Sequence, residues 1–224
     1  ICILLAFVLY FSFPAFPSKV ELYQFLVLRK RFWLYYLLTF LSGARRQIFV
    51  VFAAFLMVEK FGYSASQVTL LFLINYAFNY MFAEKIGGLI GRFGERRALT
   101  FEYIGLILVF IAYGLVENAS VAAFLYVLDH MFFALAIAIT TYFQKIADPR
   151  DMASNAGVSF TINHIAAVVV PALLGLVWIW SHSLVFYIGA IFALLSLIAA
   201  QFIPKSPAPN QETRISFRSK VIES

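Results

Sequence analysis

This 224-residue chain reads as an all-α integral membrane protein, with six transmembrane helices and a partial one before them. Three observations carry that reading. The residues are 63% hydrophobic and only 12% charged, whereas a soluble domain is nearer half apolar and a quarter charged. The apolar residues gather into six runs of roughly 19–27 residues, against the ~20 that cross a ~30 Å hydrocarbon core as a helix. Lysine and arginine collect between alternate runs, as they do in inner loops.

Taken in order, residues 1–13 are apolar but lack a basic leader and a small-residue cleavage site, so they resemble the end of a truncated membrane helix, not a signal peptide. On that reading the chain is a fragment. Pro14 and Pro17 end this stub, and residues 14–31 form a basic cytoplasmic linker. The six spans are expected at residues 32–58, 66–86, 98–116, 121–143, 156–178 and 183–203, giving a bundle over 32–203. Residues 204–224 are polar, carry Pro207 and Pro209, and read as a disordered cytoplasmic tail.

Orientation follows from the basic residues. If residues 18–31 are cytoplasmic, alternation puts 85–97, 144–155 and the tail on the same side. Those segments hold four, four, two and four of the seventeen lysines and arginines. Arg45 and Arg46 lie within a span, which leaves Lys60 for the outer side. The net charge of +6 therefore points to topology and not to nucleic acid. Trp178, Trp180 and His182 mark an outer interface. Asn118, Ala119 and Ser120 form a glycosylation sequon so near the membrane that chance is the better explanation. The single cysteine, Cys2, rules out an internal disulfide and argues against a thiol metal site.

The run 32–58 organises the rest, because Arg45 and Arg46 sit about 13 residues from its ends, close to the bilayer midplane. An arginine there costs about 2.5–3.5 kcal/mol on insertion scales, so two in succession call for a polar interior. Other polar groups concentrate in four spans: Gln47 in the first, Asn75 and Asn79 in the second, Asp129, His130, Thr140 and Thr141 in the fourth, Asn163 and His164 in the fifth. The third has only Glu102, expected to pair with a basic inner-loop residue, and the sixth has no charge. Spans one, two, four and five should line a cavity, with three and six supporting them against lipid. That division repeats every three helices, as in a 3+3 inverted repeat.

Between spans two and three stand Gly87, Gly88, Leu89, Ile90, Gly91, Arg92, Phe93, Gly94, Glu95, Arg96 and Arg97. This resembles the cytoplasmic G-x-L-x-D-R-x-G-R-R/K-R motif of the major facilitator superfamily. Gly87, Leu89, Arg92, Gly94, Arg96 and Arg97 match, while Gly91 replaces the acid and Glu95 a basic residue. The resemblance covers the whole chain as the end of helix six plus helices seven to twelve, the C-terminal bundle. It implies that helices seven, eight, ten and eleven line the central cavity, the same four picked by polarity. It also implies a gating loop at Gly87, Gly91, Arg92, Gly94, Arg96 and Arg97.

The functional expectation is a secondary active transporter of a small anionic or zwitterionic solute, working by alternating access, with proton coupling as an option. Arg45, Arg46, Gln47, Asn75, Asn79 and Asn163 are the candidate substrate contacts, since a guanidinium offers a bidentate fork to carboxylate or phosphate. Asp129, His130 and His164 are candidates for a coupled proton. Asp129 has the alternative role of counter-ion to an arginine, and His164 that of a helix–helix hydrogen bond. Pro171 should bend the fifth span.

No nucleotide-binding loop, H-E-x-x-H spacing or activated nucleophile is present, so neither an enzyme nor a cofactor or metal is expected. The alternatives are a drug or multisubstrate efflux transporter of the same fold, a channel, a membrane-embedded enzyme or a non-transporting membrane protein. Expected partners are the solute, the lipid bilayer and an N-terminal half of the same chain. The expected location is the cell membrane, multi-pass, with a cytoplasmic C-terminus.

Overall fold

A computed structural model describes residues 7–8, 11–12 and 28–214. The stub 1–13 and the linker 14–31 fall mostly outside the described residues. Six long helices follow: α1 (Lys30–Glu59), α2 (Ala65–Phe93), α3 (Glu95–Leu115), α4 (Ala119–Ile146), α5 (Pro149–Trp180) and α6 (His182–Ala200). All but α2 are both long and apolar enough to cross a membrane. The 29 residues of α2 are sufficient in length, and Gln67, Asn75 and Asn79 are what dilute its hydropathy. Most of these helices run past the apolar stretches read from sequence, because their hydrogen bonding continues into the polar ends.

Local chemistry sets each boundary. Gly62 at φ 67 ends the turn after α1 and lets Tyr63 N–H reach the Met57 carbonyl at 3.0 Å. Ser64 and Gln67 cap α2 reciprocally in a capping box. Asn118 accepts from the N–H groups of Ser120 (2.8 Å) and Val121 (3.2 Å), so the sequon asparagine serves as the cap of α4. Asp148 accepts from Arg150 N–H ahead of α5, with Pro149 in the first turn. Ser181 alone separates α5 from α6 and caps the latter.

The helices alternate in direction, so their ends gather into two layers. At one end Lys60 donates to the Val116 carbonyl (2.8 Å), and Trp178 Nε1 donates to Glu59 (2.9 Å). Trp178 is thus packed inside while Trp180 stays exposed. At the other end Asp151 is buried between Arg29 and Arg31, each at 2.8 Å, and buried Glu95 meets Lys145 at 2.6 Å. Among the described residues this second end holds nearly all the lysines and arginines outside the helix interiors.

Three expectations are corrected here. The motif between α2 and α3 is not a loop: α2 continues to Phe93, Gly87, Gly88 and Gly91 are helical with open space where a Cβ would stand, and the chain turns at Gly94 alone, φ 82. Arg92, Arg96 and Arg97 are consequently helix-end residues. Residues 204–214 are not a disordered tail: Arg214 N–H bonds the Phe202 carbonyl (2.8 Å), and the Tyr142 hydroxyl donates to the Glu212 carbonyl. Residues 215–224 lie outside the described part. Pro171 sits within α5.

The third correction concerns α3. It packs along α6 more extensively than any other pair in the bundle, and a stripe at Phe101, Ile104, Leu108, Ile111 and Leu115 stays exposed, as a lipid-facing helix requires. Its other face, however, carries a charged and aromatic centre. A Cβ on Gly105 would stand 2.3 Å from the Phe132 ring, so α3 and α4 meet closely there.

Candidate functional site

Arg45 and Arg46 go to different places. Consecutive residues of a helix diverge by about 100°. Arg45 turns inward and is sealed, with Nη1 3.7 Å from Glu102 Oε1 and side-chain exposures of 1% and 0%. Its Nε donates to the Leu41 carbonyl at 3.3 Å, and its guanidinium lies 4.4 Å over the Tyr103 ring. Glu102 therefore pairs with Arg45 and not with an inner-loop base. The carboxylate stays within the bundle, and Arg45 is the cation that reaches it.

Arg46 faces a cavity of about 220 Å³ between α1, α4 and α5. Tyr35, Thr39, Ser42 and Gly43 of α1 share its wall with Thr140 of α4 and Ser159 and Asn163 of α5. The α1 residues fall at helical spacing on one face, a pattern present in the sequence but masked by the charges beside it. Close approach of α1 and α5 depends on Gly43: a Cβ there would stand 2.8 Å from Asn163 Oδ1 and 3.3 Å from the Ala166 methyl. Asn163 is held by its own donation to the Ser159 carbonyl, 3.0 Å.

Two departures from α-helical winding flank this cavity. A π-helical stretch, Ile48–Ala53, begins two residues after Arg46, and a 3₁₀ turn, Ala134–Ala136, forms part of the α4 wall. Each changes the azimuth of every residue beyond it, and such turns recur where a helix is shaped for a site.

The remaining candidates are divided. Gln47, Asn75 and Asn79 do not line the cavity; Asn75 is buried with neither amide atom hydrogen-bonded. Asp129 is buried on α4 and makes no ion pair with either arginine. His130 is half-buried, 4.9 Å from the Phe49 ring and near Arg46. His164 is exposed and bonds the Phe160 carbonyl one turn back (2.9 Å), so it makes a contact within its helix and not between helices. Asp129 and Glu102 are both buried, whereas His164 lies on an exposed face. Among the described residues no group of three histidine, cysteine or carboxylate side chains is placed to hold a metal ion.

Residues 35–223 match the family model of the Major Facilitator Superfamily. The chain belongs to the major facilitator superfamily. No curated protein matches it. As a member of this superfamily the protein is a multi-pass helical membrane protein of a transporter family, and the matched region includes the whole of the cavity and of the Arg45–Glu102 centre.

Proposed function

We propose that the protein is a secondary transporter of a small anionic or zwitterionic solute, with Arg46 as the cationic anchor. The observation that carries this is the cavity itself: one guanidinium set among the hydroxyls of Tyr35, Thr39, Ser42, Thr140 and Ser159 and the amide of Asn163. A guanidinium gives a carboxylate or phosphate two parallel donors, and the hydroxyls supply further hydrogen bonds to its remaining oxygens. The volume of about 220 Å³ is below the ~300–1,000 Å³ of sites for drug-sized ligands, which favours a small solute over a multidrug substrate.

On this reading the bundle is the C-terminal one of two, built as a 3+3 repeat, and alternating access comes from the two bundles rocking about the site. The basic end is cytoplasmic, following the positive-inside rule, and α2 counts as the sixth span.

Binding tests the proposal without needing the natural solute. The purified protein is heated with inorganic phosphate, sulfate, acetate or an amino acid, and its melting temperature followed. At least one should raise it in a saturable way, and Arg46→Ala should abolish the rise while Arg46→Lys keeps only part of it. If none of these anions stabilises the protein, or Arg46→Ala responds like the parent, Arg46 is not an anion anchor.

A further inference from the structure

We propose that the solute is a monocarboxylate with a compact apolar body, its carboxylate on Arg46 and its hydrocarbon against α4. This assignment rests on the anion-transport reading above and narrows it. The cavity is two-sided. Helices α1 and α5 bring the guanidinium, the amide of Asn163 and all the hydroxyls but one. Around the 3₁₀ turn Ala134–Ala136, α4 brings Phe133, Ala136, Ile137 and Ile139, with Thr140 as its one polar group. An apolar flank laid on this wall leaves water, which is favourable in proportion to the area covered. A ligand polar all round would have to shed its hydration against the same residues.

Two ring contacts fix which residues of α1 and α4 stand level with one another. Tyr35 meets Phe143 at 4.4 Å between ring centroids, and Phe49 meets His130 at 4.9 Å. The two helices are antiparallel, so the stretch 133–139 runs alongside 39–46, and the apolar residues lie between the level of Arg46 and that of Tyr35. Arg46 closes one end of the α1 stripe Tyr35, Thr39, Ser42 and Arg46, which extends about 16 Å at 1.5 Å per residue. The charge is thus at one end, with the apolar wall running away from it on a single side. That layout fits a ligand with a charged head and an apolar body.

Arg46 is the one charged residue among those lining the cavity. A single carboxylate neutralises it. A second carboxylate would lie against α4 with no cation to receive it, and an ammonium would find no carboxylate there. Either loses hydration without gaining a counter-charge. Monocarboxylates are therefore preferred over dicarboxylates and over amino acids. Ile137 is 49% exposed, so its side chain can be exchanged without opening the core.

Three probes of nearly equal length test it: pentanoate, 4-aminobutyrate, in which an ammonium replaces the terminal methyl, and glutarate, in which a carboxylate does. Half-saturating concentrations are read from the melting temperature of the purified protein, with acetate as the head alone. Pentanoate should bind about tenfold or more tighter than acetate, since each fully buried methylene is worth about fourfold. It should exceed 4-aminobutyrate and glutarate by a similar factor. Ile137→Asn should shrink the pentanoate-to-acetate ratio about fourfold, and Ile137→Asp should reverse the preference between pentanoate and 4-aminobutyrate. Arg46→Ala should lose every one of these responses. If acetate saturates through Arg46 but pentanoate binds no tighter, the apolar body is overturned while the anion reading stands. Equal or tighter binding of glutarate or 4-aminobutyrate overturns the single charge, and an unchanged ratio in Ile137→Asn overturns the contact with α4. A pentanoate response that survives in Arg46→Ala is adsorption to apolar surface and overturns the assignment. Silence from all four probes fells the anion reading and this assignment with it.

Discussion

Glu102 of α3 supplies the counter-charge for Arg45 of α1, Oε1 to Nη1 at 3.7 Å, with neither side chain reached by solvent. This pair fixes which of two adjacent arginines is available to a ligand. It also makes α3 a bearer of charge at the centre of the bundle and not a passive lipid-facing helix.

Removing one partner of such a pair leaves the other buried and unpaired, which costs about 3–5 kcal/mol. Arg45→Ala should accordingly lower the melting temperature of the detergent-solubilised protein sharply or abolish folding. Arg46→Ala, at an exposed position, should leave it nearly unchanged, within about 0.5 kcal/mol. Equal losses from the two would contradict the division of roles.

Gly43 sets the spacing of α1 and α5 at the cavity wall. Gly43→Ala places a methyl 2.8 Å from Asn163 Oδ1 and should destabilise by about 1–3 kcal/mol while weakening anion binding. Gly87→Ala, where a Cβ meets nothing within 4 Å, is the matched control and should be neutral or mildly stabilising. Combining Gly43→Ala with Asn163→Ala should recover part of the lost stability, read as a coupling in a double-mutant cycle.

Glu95 and Lys145 tie the start of α3 to the end of α4. Glu95 is buried whereas Lys145 remains 47% exposed, so the pair is partly screened by water. Lys145→Met should cost about 1–3 kcal/mol, between the values for exposed and buried pairs. Glu95→Gln should cost less than Lys145→Met, because it removes the buried charge along with its partner's role. Thermal unfolding of both variants checks the order.

Orientation can be read by accessibility. In a Cys2→Ser background, Arg150→Cys should react with an impermeant maleimide only when the cytoplasmic face is open to it. Glu117→Cys, at the opposite end, should react from outside in intact cells. The reverse pattern would invert the assigned topology.

Of the fold, what local composition controls was legible beforehand. Helix existence follows from runs of apolar residues, a property of neighbours along the chain. The motif at Gly87–Arg97 was readable as a chemical pattern and pointed to the family matched over residues 35–223. Its conformation was misread because its glycines suggested a turn, whereas packing and continuous hydrogen bonding keep the helix intact up to Gly94. The tail was misread for a related reason: proline and polar residues look disordered until a surface such as Tyr142 receives their backbone.

The sequence by itself determined depth, and only the tertiary structure decided azimuth. Position along a helix is counted at about 1.5 Å per residue, so the heights of Arg45 and Asp129 along their helices could be counted from the chain alone. Which way each points depends on how the helix is rotated against its neighbours, and that rotation is set by contacts distant in sequence. Gly105 against Phe132 and Gly43 against Asn163 fix how the helices face one another, with Arg45 toward Glu102 and Arg46 in the cavity. No residue-by-residue reading contains that information, because an offset of about 100° between neighbours separates a buried ion pair from an open binding surface.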